Sequence, residues 1–166
     1  MRKTIIKTSI YIFMITMFQM NNAYVLKAED INQTDPTGTT GLMRAASSGS
    51  LNVAVSLIAK GANVNAVTNF TEEYFKYRIS VLQHAASYDV AKLLIANGAD
   101  INYKDYGDKT ALMYAAEKGL KDVVKLLIEK GADVNAVNKN GQSALTLATE
   151  YKKMDIVKIL KKKGAK

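Results

Sequence analysis

The sequence predicts an all-α solenoid of stacked helix-turn-helix units joined by hairpin loops, preceded by an N-terminal export segment. Three observations carry this. The pentapeptide Gly-Ala-Asp/Asn-Val/Ile-Asn starts at Gly61, Gly98 and Gly131, and a truncated Gly164-Ala165 closes the chain, with glycine spacings of 37, 33 and 33 residues. A period near 33 means that one small supersecondary unit is repeated and stacked. Within each period a Ser or Thr precedes a Leu and an Ala-Ala or Ala-Thr pair, and a Val/Ile-rich run then leads into the glycine.

Taken in order, the chain opens with Arg2, Lys3 and Lys7, followed by an apolar run from Ile10 to Phe18. That run fits the ~7–15 residues of a signal-peptide core and falls short of the ~18 needed to span a bilayer. Residues 1–23 are therefore read as a signal peptide cleaved after Ala23, with Ala28 as the other choice. An uncleaved membrane anchor is the alternative. A first repeat helix fits less well, because 33 residues before Leu42 lies Ser9, with no Thr-x-Leu or Ala-Ala pattern nearby.

Four units follow. Thr40-Gly41-Leu42 leads to Ala45-Ala46, Ser80-Val81-Leu82 to Ala85-Ala86, Thr110-Ala111-Leu112 to Ala115-Ala116, and Ser143-Ala144-Leu145 to Ala148-Thr149. Each begins on a side chain that can cap a helix N-terminus. The Leu and the pair fall at i, i+3 and i+4, one helical face. A second helix is expected over Val53 to Lys60, Val90 to Asn97, Val123 to Lys130 and Ile156 to Lys163, each stopped by a glycine able to take the left-handed position after a helix.

These residues resemble the ankyrin repeat. Asp35-Pro36-Thr37-Gly38-Thr39-Thr40-Gly41-Leu42 follows that family's opening at every fixed position but the proline, and Asn138-Lys139-Asn140-Gly141-Gln142-Ser143 follows it nearly as well. The resemblance covers about Asp35 to Lys166. It implies antiparallel helix pairs with projecting hairpin tips and a protein-recognition scaffold without catalysis. The units are 35–67, 68–104 with a hairpin insert at 68–74, 105–137, and a terminal 138–166, with a hairpin remnant at 24–34 starting the stack. The family's usual His after the Leu is replaced by Met43, Gln83, Met113 and Thr146. Because that His ties neighbouring units together, the resemblance implies a somewhat less rigid stack here, most so at Met43 and Met113.

The second unit is the irregular one, and it is expected to be the weakest joint of the stack, with less regular interfaces to the first and third units. Its hairpin is seven residues longer, and Ser87-Tyr88-Asp89 replaces a six-residue helix connection. Insertions in a repeat map to loops on one face, often the binding face. Phe70, Tyr74, Tyr77 and Arg78 in and beside the insert are the candidate partner-binding residues, with Tyr103, Tyr106, Lys109 and Lys139 on the adjoining tips. Tyr and Arg dominate interface hot spots through rigid area and a polar tip. The competing reading is that Phe70 and Phe75 simply close a longer loop, since doubling a loop costs only ~0.6 kcal/mol.

Chemistry is nearly absent from this chain. One histidine and no cysteine leave no zinc site and no thiol dyad. No phosphate loop or dinucleotide fingerprint occurs. His84, on an inner helix, is read as structural. The formal charge is +8 with residues 1–23 and +5 without them, and the excess gathers at Lys152 to Lys166. Those lysines follow helix positions that face solvent and do not interleave with aromatics, so nucleic acid is not an expected partner. The sequence thus predicts a non-enzymatic, cofactor-free and monomeric module that binds an unidentified protein outside the cytoplasm, periplasmic or secreted. The alternative is a membrane-tethered scaffold whose basic C-terminus lies at an anionic surface.

Overall fold

Four Ser or Thr side chains start the inner helices as expected. Thr40 Oγ accepts from the Met43 N–H, Ser80 from Gln83, Thr110 from Met113 and Ser143 from Thr146. The computed structural model describes residues 30–68 and 78–165, and among them are eight helices and no strand. The expected signal peptide lies outside the described residues, as does the insert except for Thr68. The chain divides into an N-terminal unit, Met1–Ile31, of which only Asp30 and Ile31 are described, and a second unit, Asn32–Lys166, which holds all eight helices.

The helices alternate between two layers. The inner layer is Gly41–Ser48, Val81–His84, Ala111–Lys118 and Ala144–Glu150; the outer layer is Leu51–Ala59, Tyr88–Ala96, Lys121–Glu129 and Met154–Lys162. Inner helices pack on inner helices because Ala45, Ala46, Ala85, Ala115, Ala116 and Ala148 are small and buried, so the backbones approach closely. Leu94, Leu127 and Leu160, equivalent positions in successive outer helices, are wholly buried between the layers.

Each outer helix ends in the same cap. Gly131, at φ +92°, donates to the Ile128 carbonyl at 3.1 Å, and Ala132 donates to Leu127 at 2.9 Å. The same pair of bonds recurs at Gly61, Gly98 and Gly164. This pair of bonds around a left-handed residue satisfies the last carbonyls of the helix and favours a glycine, which takes that conformation without a side-chain penalty. It is the physical content of the repeated Gly-Ala.

The Asn residues that close the first two pentapeptides, and Asn32 in the same register before them, join unit to unit. Asn32 Oδ1 accepts from the Asn63 N–H at 2.7 Å, Asn65 from Asp100 at 2.8 Å, and Asn102 from Asp133 at 2.9 Å. Asn65 and Asn102 also donate through their amides to the carbonyls of Gly98 and Gly131. Asn32 thus stands at the start of the stack in the register of the later hairpins.

Two expectations change. Gln83 does not loosen the stack: its Oε1 accepts from the Ser80 N–H at 2.7 Å, and its amide donates to the Lys109 carbonyl at 2.6 Å in the next unit. The second inner helix is only four residues long, which leaves the Ala86 N–H outside it; that group donates at 3.0 Å to the carbonyl of Ala46 in the first inner helix. The shortened unit is therefore hydrogen-bonded to both neighbours. Thr68, assigned above to the insert, sits in the neck of the hairpin. It exchanges bonds with Ile79, donating through its N–H at 3.0 Å and accepting through Oγ1 at 2.9 Å.

At the far end Lys161 is exposed where Ile58, Ile95 and Ile128 are half-buried.

Candidate functional site

Among the described residues three hairpin tips, those of the first, third and fourth units, are held by an acid or amide at the base of the turn. Asp105 Oδ1 accepts from the N–H groups of Gly107 and Lys109 at 2.8 and 2.9 Å. Asp35 does the same with Thr37 and Thr39, and Asn138 with Asn140 and Gln142. A short side-chain acceptor reaching its own backbone two residues on is what makes Asp and Asn turn formers.

Each of these three tips is then braced against its own inner helix. Asp35 pairs with Arg44 at 2.6 Å, and Asp105 Oδ2 accepts from Tyr114 at 2.8 Å, both nine residues on. In the third unit Lys109 bonds Glu117 at 2.5 Å and lies 4.4 Å over the Tyr114 ring. In the fourth, Gln142 donates to Glu150 at 2.9 and 3.1 Å. Glu117 also accepts from the Tyr151 hydroxyl, and that bond pushes the phenol pKa up. Burial works against ionisation of Asp35, but bonds from Thr37 and Thr39, with Arg44 beside it, hold its carboxyl below the usual range.

The predicted partner-binding residues divide into four groups. Tyr106 and Lys139 meet: Tyr106 is 56% exposed, and the Lys139 ammonium sits 3.9 Å from its ring centroid. The Lys139 N–H donates to the Gly107 carbonyl at 2.9 Å, so two tips are clasped together by backbone as well as side chain. Arg78 is exposed beside the neck of the second hairpin, and Tyr103 is half-buried with its carbonyl 3.5 Å from the Gln83 amide. Lys109 is not a free contact residue, since Glu117 and Tyr114 occupy its ammonium. Phe70, Tyr74 and Tyr77 lie outside the described residues.

Sequence reasoning overlooked Tyr114 and Glu117. Their signal was present in the i+9 and i+8 spacing from the tip residue, but only the folded hairpin shows that this spacing closes a contact. His84, on the same inner layer, is half-buried with Nδ1 2.9 Å from the Ser80 carbonyl. Burial, with the charge of Lys118, pushes its pKa down, so it is neutral at pH 7. Among the described residues no group of His, Cys, Asp or Glu is arranged to hold a metal, and no helix is long and apolar enough to cross a membrane.

A family model described as ankyrin repeats (3 copies) matches residues 13–105 and again 82–166. The first match takes in part of the stretch expected to be an export signal. No curated protein matches the chain. Ankyrin repeats are generally protein-binding modules, typically without catalysis, and the capped helix pairs, the Asn-bonded units and the braced tips are the features by which such a surface is held in shape. This chain belongs to the ankyrin-repeat family.

Proposed function

We propose that this chain is a monomeric, non-catalytic protein-binding module that acts outside the cytoplasm and takes its partner on the hairpin tips and inner helices. The observation that carries the proposal is the exposed Tyr106–Lys139 pair on two tips that are internally fixed. A rigid aromatic with a cation held on its face offers contact area and a polar tip at little ordering cost. Lys109 contributes by bracing, and Arg78 and Tyr103 extend the surface towards the second hairpin, whose Phe70, Tyr74 and Tyr77 are proposed as further contacts.

The test is affinity capture from the secreting organism with the chain as bait. Tyr106→Ala combined with Lys139→Ala should weaken capture by at least ~1 kcal/mol, the usual threshold for a hot spot. Lys162→Ala with Lys163→Ala at the terminal unit should leave capture unchanged. Unaltered capture by the tip variant would refute the site. Export is tested separately by the mass of the N-terminus: a first residue of Tyr24 or Glu29 supports cleavage, and Met1 supports a membrane tether.

A further inference from the structure

The outer layer carries a pattern that the partner surface does not use. Each outer helix begins on its outward-facing residue, ten positions before its glycine: Leu51, Tyr88, Lys121 and Met154. Three of these four are large and apolar, and they are 37%, 41% and 61% exposed. One turn further on, the same face presents Val55, Lys92, Lys125 and Lys158. Val55 is 46% exposed at the position where the three later units have lysine. The result is a row of protruding apolar side chains beside a row of lysines, running along the stack.

Charge is concentrated on the same layer. The outer helices with their C-cap residues hold nine lysines against four acids, Asp89, Asp122, Glu129 and Asp155. The inner helices balance Arg44 and Lys118 against Glu117 and Glu150. Two of the outer acids are already engaged: Asp122 with Lys125 at 3.3 Å and Asp155 with Lys121 at 3.1 Å. Lys121, then Lys158 and Lys125, lower the pKa of Asp155, as expected in a positive local field.

We infer that this outward face docks on an anionic lipid surface, with Leu51, Val55, Tyr88 and Met154 entering the headgroup–acyl boundary and the lysines meeting the lipid phosphates. Lysine stems lie along apolar surface while their ammonium groups stay in the polar layer. Tyrosine suits the same boundary because one end is apolar and the other wet. A face of aliphatic and aromatic side chains bordered by lysine is what interfacial binding requires, and its strength scales with both apolar area and anionic lipid. A soluble polyanion such as nucleic acid would use the lysines and gain nothing from exposed Leu51, Val55 or Met154. The tips that carry the proposed partner site belong to other elements, so this inference is independent of that site.

The experiment is vesicle flotation of the full chain with phosphatidylcholine alone and with phosphatidylcholine plus phosphatidylglycerol. The chain should float with the anionic vesicles and much less with the neutral ones. Lys92→Glu with Lys158→Glu should weaken binding by about tenfold or more. The decisive variant is Leu51→Lys with Val55→Lys, which copies Lys121 and Lys125 and so retains the fold, as an unchanged thermal midpoint will verify. It adds two positive charges, yet it should also bind anionic vesicles less well than the parent chain. Tighter binding by that variant would overturn the proposal in favour of charge-only attachment to a polyanion. Equal flotation of all chains with neutral vesicles would also overturn it, by assigning attachment to the apolar N-terminal run that every variant shares.

Discussion

Gln83→Met tests how the second and third units are joined. Gln83 is almost wholly buried and holds the Ser80 N–H at the helix start and the Lys109 carbonyl in the next unit by short bonds, with a much longer one of 3.5 Å to the Tyr103 carbonyl that contributes little. Methionine nearly matches its volume, so no sizeable cavity opens. The sulfur retains part of the first role, since the Thr40 N–H reaches Met43 Sδ at 3.4 Å in the first unit. The bond to Lys109 is lost outright, but that carbonyl still accepts from the Asp105 N–H at 3.1 Å and is not orphaned. One buried bond lost and one weakened, at ~1 kcal/mol net for a bond, gives ~1–2 kcal/mol of destabilisation. Urea unfolding should show this as a lower midpoint with an unchanged slope. Hydrogen exchange adds location: in a stack held by nearest-neighbour contacts, amides near Asp105 and Lys109 should lose protection more than those of the last outer helix. A change within ~0.3 kcal/mol, below the ~0.5 kcal/mol lower bound for a net bond, would refute the reasoning.

Three further outcomes are expected. His84 has its pKa lowered in the folded state by burial, so the unfolded chain takes up its proton first as pH falls; stability should be full above about pH 6.5 and decline below it. His84→Gln should flatten that part of a pH–stability curve, and an unchanged curve would count against the burial argument. Asp108 stands at φ +61°, one residue after Gly107, and Asp108→Gly should raise stability by ~0.5 kcal/mol in thermal or urea unfolding, because relief of the left-handed strain outweighs glycine's extra chain entropy. Asp105→Ala removes the turn acceptor and the Tyr114 brace together and should cost ~2 kcal/mol in the same assay, with Tyr106–Lys139 capture falling alongside.

Much of the fold could be read in the residues. The helix caps at Thr40, Ser80, Thr110 and Ser143 and the stops at the four glycines are local signals, set by chemistry within a few positions, and they stand where the spacing put them. Reading Gln83 as a loosening departure failed for an equally physical reason. An amide can accept and donate at once, so it replaces a bridging ring that a pattern match sees only as missing. Thr146 likewise takes the Ser143 N–H at 2.7 Å. Lys109 was legible as a charged residue near a tip, but its closure onto Glu117 depends on the hairpin folding back over the inner helix. The second unit looked weak because its connection is short; the same shortness is what frees the Ala86 N–H for Ala46.

The bonds from Asn32, Asn65 and Asn102 have a consequence for how such a chain can change over time. They span 31, 35 and 31 residues, yet each joins the same two places in adjacent units. The pitch of the array is therefore held by a one-residue rail along its edge and does not depend on how much chain lies between the ties. The extra four residues of the middle span raise loop-closure cost by only about 0.1 kcal/mol. A unit behaves as a cassette whose loops can lengthen, shorten or be rewritten while its neighbours stay in step, so new contact surfaces can be tried at the tips without renegotiating the core.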